Sequence, residues 1–231
     1  MNVAIIPARG GSKRILRKNL RSFCNKPIIA WSIEAALNSA QFDKVIVSTD
    51  DDEIAQFAIE KGADVPFVRP AELSDDHAIT RDVVNHALTW LAENEQPAEY
   101  CCVLYATAPF VTSNDLASAF AQLKSSKRDF CFAATSFPFS IQRAFYFTPQ
   151  GDIEMFDKKQ MKTRSQDLQE AYHDAGQFYW GKADAFLQNL PMYSHHASAF
   201  LIPRYRVQDI DTEEDWETAE LLFSAIQSRG L

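Results

Sequence analysis

The 231-residue sequence contains no GxxxxGK[ST] and no GxGxxG, which removes both the Walker-type phosphate loop and the usual dinucleotide fingerprint. It has no CxxC pair. Cys24, Cys101, Cys102 and Cys131 stand at no metal-ligating spacing, and the last three lie in apolar, strand-like runs, so they read as reduced core residues. No apolar run approaches the length that crosses a bilayer, and strand-type residues begin at once, so neither a membrane anchor nor a leader is expected and the cytoplasm is the expected compartment. There is no internal repeat and no low-complexity linker. With 46% hydrophobic residues, a single domain over 1–231 with a sizeable core is expected.

Acidic residues are missing from one place in particular. The chain carries 31 Asp+Glu against 23 Lys+Arg, yet residues 9–26 hold Arg9, Lys13, Arg14, Arg17, Lys18, Arg21 and Lys26 and no carboxylate. A general nucleic-acid surface needs an extended basic face, and this acidic body with one compact basic loop offers none; it suits a small anion drawn into one cleft. That loop follows Val3, Ala4, Ile5 and Ile6, a non-alternating apolar run that predicts a strand covered on both faces and ended by Pro7. Gly10 and Gly11 admit backbone conformations closed to other residues, so successive amides are expected to converge on an anion as a nest, with Ser12 adding a hydroxyl and Arg9, Lys13, Arg14 and Lys18 adding charge. A polyphosphate is the natural guest.

Downstream, strand and helix alternate. Pro27 suits a helix start, and Ile29, Ile33, Ala36, Leu37 and Ala40 recur at helical spacing before a second buried strand, Lys44 to Ser48. A helix closed by Gly62 follows, then a third strand, Val65 to Val68, and a helix capped by Thr80 with an apolar face of Val83, Val84, Ala87, Leu88 and Leu91. Strands are further expected at Tyr100 to Leu104, Phe130 to Thr135, Gly176 to Trp180 and Ala199 to Ile202, with capping boxes at Thr112/Asp115 and Thr212/Asp215. The alternation predicts an α/β fold with a mostly parallel sheet and helices on both faces. It breaks at about 137–172, an aromatic excursion in which FYFTPQGDIEMF reads as a projecting hairpin able to pair with a second subunit. In such sheets ligands bind beyond the carboxyl ends of the strands, which draws attention to Ser48, Thr49, Asp50, Arg69 and Thr107, and to Asp209 and Asp211, two carboxylates able to face one hard cation. His195 and His196, read as neighbours in a strand, point to opposite faces and make no metal site.

IPARGGSKRILRKN, VSTD, RPAEL and DIDTEEDW, in this order over essentially the whole chain, resemble the motifs of the cytidylyltransferases that activate keto-acid sugars, the family of the CMP-sialic acid synthetases. The resemblance implies a Rossmann-like domain with a projecting dimerisation element, hence a homodimer, and CTP, Mg²⁺ and an acidic nine-carbon sugar as its partners. It assigns Arg9, Gly10, Gly11, Ser12, Lys13, Asn19, Arg69 and Thr80 to the nucleotide, with Arg9, Lys13 and Lys18 as the catalytic cations. Asp209 and Asp211 match its metal ligands, and Tyr105, Thr107 and Gln177 become the sugar-facing candidates. Where sialic-acid enzymes show a QPTSPLR-like stretch this chain has YATAPFV, and ATAPFV, FPFSIQRAF and HDAGQFYWG are similar to the branch acting on pseudaminic acid. An apolar wall of Tyr105, Ala108, Phe110, Val111 and Phe137 to Phe139 is expected to suit such a deoxygenated sugar. Activation of N-acetylneuraminic, legionaminic or 3-deoxy-octulosonic acid stays open at this point, as does a non-catalytic nucleotide-binding module on the same fold.

Overall fold

The computed structural model describes residues 1–75 and 78–229. Its spine is a six-stranded sheet built on the first apolar run, β1 (Asn2–Pro7). The short strands β2 (Ser22–Phe23) and β3 (Lys26–Pro27) lead into helix α1 (Ile28–Asn38), with Pro27 at its N-cap. Next come β4 (Lys44–Ser48), α2 (Asp52–Glu60), α3 (Thr80–Asn94), β5 (Tyr100–Leu104), α4 (Ser113–Ser126) and β6 (Phe130–Ser136). The hairpin strands β7 (Phe145–Phe147) and β8 (Ile153–Met155) pair antiparallel, as their sequence predicts. The chain closes with β9 (Tyr172–Lys182), α5 (Ala183–Leu187), β10 (Ala197–Leu201) and α6 (Glu213–Ser228).

The sheet order is β10-β6-β9-β5-β1-β4. β1 lies parallel to β4 and β5, and β10 parallel to β6, while β9 runs antiparallel between β5 and β6. Alternation along β1 divides the core. Ala4 and Ile6 join Ile29 and Ile33 of α1, Ala58 of α2 and Leu116 and Phe120 of α4 on one face, whereas Val3 and Ile5 join Val84, Leu88 and Leu91 of α3 and Phe186 of α5 on the other. A third cluster fastens the basic loop: buried Ile15 and Phe23 pack with Trp216 and Phe223 of α6, the Phe23 ring lying 5.6 Å and 5.4 Å from theirs. The loop's polar tip is thereby held over an apolar root.

The helix punctuation follows local chemistry. Both capping boxes form, at Thr112/Asp115 and Thr212/Asp215, and Gly62 adopts a left-handed φ of +89° just past α2. Thr80, however, is the first residue of α3 and Ile79 holds the N-cap position. The strand expected at Val65 to Val68 does not form; only a bridge between Ile46 and Asp64 precedes it. Pro66 cannot donate to a ladder, and Val68 is exposed, so this apolar stretch crosses the sheet edge without joining it. His195 and His196 lie in a turn before β10 with their rings 4.1 Å apart, not on opposite faces of a strand. His196 Nδ1 meets Asp129 Oδ2 at 2.6 Å, and Lys182 Nζ donates to the other oxygen at 2.9 Å. All four cysteines are free, and burial pushes their thiols up from the ordinary value.

Candidate active site

A cavity of about 590 Å³ opens at the carboxyl ends of β1 and β5. Its walls include Arg9, Ser12, Lys13, Lys18, Asn19, Arg69, Thr80, Tyr105, Thr107 and Asp211, so ten sequence candidates from five separate stretches meet at one place. The basic loop is tied down from both sides. Asn19 Nδ2 donates to the carbonyl of Arg9 at 2.9 Å, and Arg9 Nη1 donates to the carbonyl of Asp75 at 2.7 Å. Asp211 faces the loop from the start of α6, accepting from Arg14 Nη1 at 2.8 Å and Lys18 Nζ at 3.4 Å.

The glycine pair works differently from a nest. Neither Gly10 nor Gly11 takes a left-handed φ, and the Gly10 amide is taken by the protein's own Asp50 Oδ1 at 3.0 Å. Gly10 is required by proximity: a Cβ there would lie 2.6 Å from Asp51 Oδ2, whereas one on Gly11 would meet nothing within 4 Å. Asp51 cannot easily yield, because its Oδ1 accepts from the amides of Glu53 and Ile54 as the N-cap of α2 and its Oδ2 takes Arg17 Nη1 at 2.8 Å.

Arg69 is 5% exposed yet lines the cavity. Its Nη2 donates to the Ser48 carbonyl at 2.7 Å and its Nη1 to that of Leu73 at 3.3 Å, while its Nε has no partner. Burial pushes its guanidinium down from the usual value, against the opposing charge of Asp50. A largely buried cation at the cavity wall favours an anionic guest.

Seven candidates do not line the cavity. Ser48 and Thr49 are buried, Gly10 lies against Asp51, and Gly11, Asp50 and Asp209 are exposed. Gln177 is buried, its Nε2 donating to the Arg206 carbonyl at 2.6 Å. The expected apolar wall is also displaced, since Ala108, Phe110 and Val111 are buried in the helix-facing clusters and Phe137 and Phe139 line neither this cavity nor its neighbour. Short apolar residues after β5 read equally well as wall or as core, and here the core claims them.

The neighbour is a second cavity of about 340 Å³ that shares Thr80 and Tyr105 with the first. Val84, Val103, Phe186 and Met192 give it an apolar lining, and Arg81, Asp174, Tyr179 and Tyr193 a polar one. None of these eight was visible as a site residue in the sequence. Among the described residues no three His, Cys, Asp or Glu side chains gather as a metal cage, and no helix is long and apolar enough to cross a membrane.

The cytidylyltransferase family model matches residues 3–226. This chain belongs to the cytidylyltransferase family. The chain is 48% identical over 222 residues to a pseudaminic acid cytidylyltransferase of Campylobacter jejuni, covering 96% of each. It is 37% identical over 209 residues, 90% of its length, to a Helicobacter pylori protein named as both pseudaminic acid cytidylyltransferase and UDP-2,4-diacetamido-2,4,6-trideoxy-beta-L-altropyranose hydrolase, of which it spans 40%. Among solved structures, a CMP:2-keto-3-deoxy-manno-octonic acid synthetase complexed with CTP superposes with a TM-score of 0.69 at 19% identity, over 97% of this chain and 98% of that one. The cytidylyltransferase is therefore an enzyme with the nucleotidyltransferase fold.

Proposed function

We propose that this cytidylyltransferase joins CMP from CTP to pseudaminic acid and releases pyrophosphate, working with Mg²⁺ in the cytoplasm, where CTP is made, as a homodimer. The observation that carries the reading is the pair of joined cavities: a basic one suited to a triphosphate and a mixed polar and apolar one suited to a sugar, meeting at Thr80 and Tyr105. The identity of 48% over 96% of both chains supports the choice of acid.

The reaction asks little covalent chemistry of the protein. The anomeric hydroxyl of the sugar attacks the α-phosphorus in line and pyrophosphate leaves opposite, so alignment and charge stabilisation do the work. Arg9, Lys13 and Lys18 neutralise the leaving phosphates, and Arg69 adds a further positive charge to the wall of the nucleotide cavity. Mg²⁺ commonly takes one or two carboxylates plus phosphate oxygens and water, so the absence of a three-residue cage among the described residues is compatible with it. Asp211 fits as one oxygen donor at the cavity wall, and Asp209 would join it, since buried Ile210 separates the two along an extended run. The ion would supply Lewis-acid polarisation of the phosphate. In the protein without substrate, Arg14 and Lys18 neutralise Asp211. Incoming phosphates compete for those cations and release the carboxylate.

Support for the homodimer comes from the excursion, where Phe139, Phe147 and Phe156 are 84%, 69% and 72% exposed. The test of the whole reading is a competition between pseudaminic and N-acetylneuraminic acid at equal concentration with CTP and Mg²⁺, read by mass spectrometry. CMP-pseudaminic acid is the expected product; predominant CMP-N-acetylneuraminic acid would overturn the substrate while leaving the family intact.

A further inference from the structure

The second cavity holds a carboxylate, which is an odd wall for an acidic substrate. Asp174 Oδ2 accepts from Tyr179 Oη at 2.6 Å and Tyr193 Oη at 2.8 Å, and its Oδ1 accepts from the Gly176 amide at 2.8 Å. Asp174 and Tyr179 are five residues apart on one strand, so regular alternation would send them to opposite faces. They meet because β9 bulges: opposite β6, Tyr179 pairs with Phe132 and Asp174 already with Ala134, and the surplus residues turn through Gly176 at φ +61°. The bulge thus re-aims a charged group into the cavity. Burial and the Asp174 charge push the Tyr193 hydroxyl up to about 12 and that of Tyr179 further still, so both stay protonated and donate.

A carboxylate oxygen has two acceptor directions, so Oδ2 is filled and Oδ1 retains one. The group that uses it must be a donor, and it must lie far from the substrate's own carboxylate, because like charges repel. The basic first cavity, with Arg9, Lys13 and Lys18, attracts that acidic end to the opposite side. Beside Asp174 stand Val84, Val103, Phe186 and Met192, an apolar surface that a hydroxyl or an ammonium would leave unfilled. An acylamido group presents an N–H and a methyl within one small unit, and Arg81, anchored through Nη1 to the Leu190 carbonyl at 2.9 Å, offers a donor for its carbonyl.

Resting on the acid-sugar reading above, we propose that Asp174 is a specificity-determining residue of this enzyme that accepts the N–H of an acylamido substituent at the end of the sugar remote from its carboxylate. The group is recognised by what it donates and by what its methyl covers. The same contact disfavours a sugar that brings an acceptor alone to that point, since it would leave Oδ1 facing a lone pair.

The experiment measures KM and kcat for the acid sugar and for CTP in wild type, Asp174→Ala and Asp174→Asn, with thermal melts to verify folding. Three sugars are compared, carrying at the remote position an acetamido group, a free amine or hydrogen. A hydrogen bond to a charged acceptor corresponds to about tenfold to a hundredfold, so KM for the acetamido sugar is expected to rise by that factor in Asp174→Ala and by less in Asp174→Asn. KM for CTP should stay within about twofold, and the deoxy sugar should not distinguish the variants from wild type. Should Asp174→Ala fail to fold, Asp174→Asn decides, because it keeps the shape and an acceptor for Gly176. An unchanged KM for the acetamido sugar, an equal penalty with the deoxy sugar, or tighter binding of the amine would overturn the assignment while wild-type turnover upholds the activity. Wild type inert towards every acid sugar would instead refute the activity, and the assignment with it.

Discussion

Replacing Gly10 by alanine should injure the protein, and replacing its neighbour Gly11 should not. A Cβ on Gly10 would lie 2.6 Å from Asp51 Oδ2 and 2.9 Å from its Cβ, so about 0.8 Å must be found before the nearest contact becomes an ordinary one at 3.4 Å. Two structures can supply it. If Asp51 retreats, α2 loses the cap made to Glu53 and Ile54, a loss of about 1 kcal/mol that lowers Tm by roughly 2–4 °C in a chain of this size. If the loop retreats instead, Arg9, Ser12 and Lys13 shift relative to the bound triphosphate, and a displacement near 1 Å costs up to about a hundredfold in rate. We therefore expect Gly10→Ala to show a lower Tm, a fall of about tenfold to a hundredfold in kcat/KM for CTP, or both. Gly11→Ala, with open space and no left-handed φ, should match wild type. The assays are a thermal melt and pyrophosphate release at varied CTP. If the two variants behave alike, close approach to Asp51 is not what selects glycine there.

Three further outcomes follow from the same geometry. Asp211→Asn should lower turnover at limiting Mg²⁺ by at least about a hundredfold through lost metal binding, while Tm moves little because the Asp211 carboxylate and its Arg14 partner are solvent-accessible; near wild-type turnover would remove Asp211 from the metal site. Light scattering at micromolar concentration should give a dimer, with exchange protection inside the 137–172 segment; a monomer with that segment open to protease would refute the interface. Lys182 first and then His196 hold the Asp129 carboxylate below its usual range. Its contribution to stability is thus present above about pH 4 and is lost as pH falls through the depressed value, so the stability gap between wild type and Asp129→Asn should close in acid; a gap constant down to pH 2 would exclude the linkage.

How far the site could be read from sequence varied with the range of the causes. Continuous apolar runs such as Val3 to Ile6 marked doubly covered strands because helices pack on both faces, and Arg9, Lys13, Lys18 and Asp211 were legible because each follows a strand end or precedes a capped helix, whereas Arg69 was legible through the RPAEL motif although the strand expected before it does not form. Val65 to Val68 misled because a single proline overrode its β-branched residues. Asp174 and Tyr179 were hidden for a deeper reason. Their partnership depends on a bulge against β6, a non-local register that no periodicity within HDAGQFYWG reveals. The direction of β9 was equally silent, since an antiparallel strand among parallel ones carries the same apolar residues.

The excursion has one more property, set by where its two ends lie. Ser136 and Tyr172 are paired partners in the sheet, and the Phe137 amide donates to the Ala171 carbonyl at 3.0 Å, so the chain departs and returns through a single doorway. No residue from 137 to 171 lines either cavity. The excursion is thus an insertion with a closed neck: its length and its apolar content can change, or be replaced by a short turn, without shifting the register of β6 or β9. A version with the neck sealed would therefore retain both cavities.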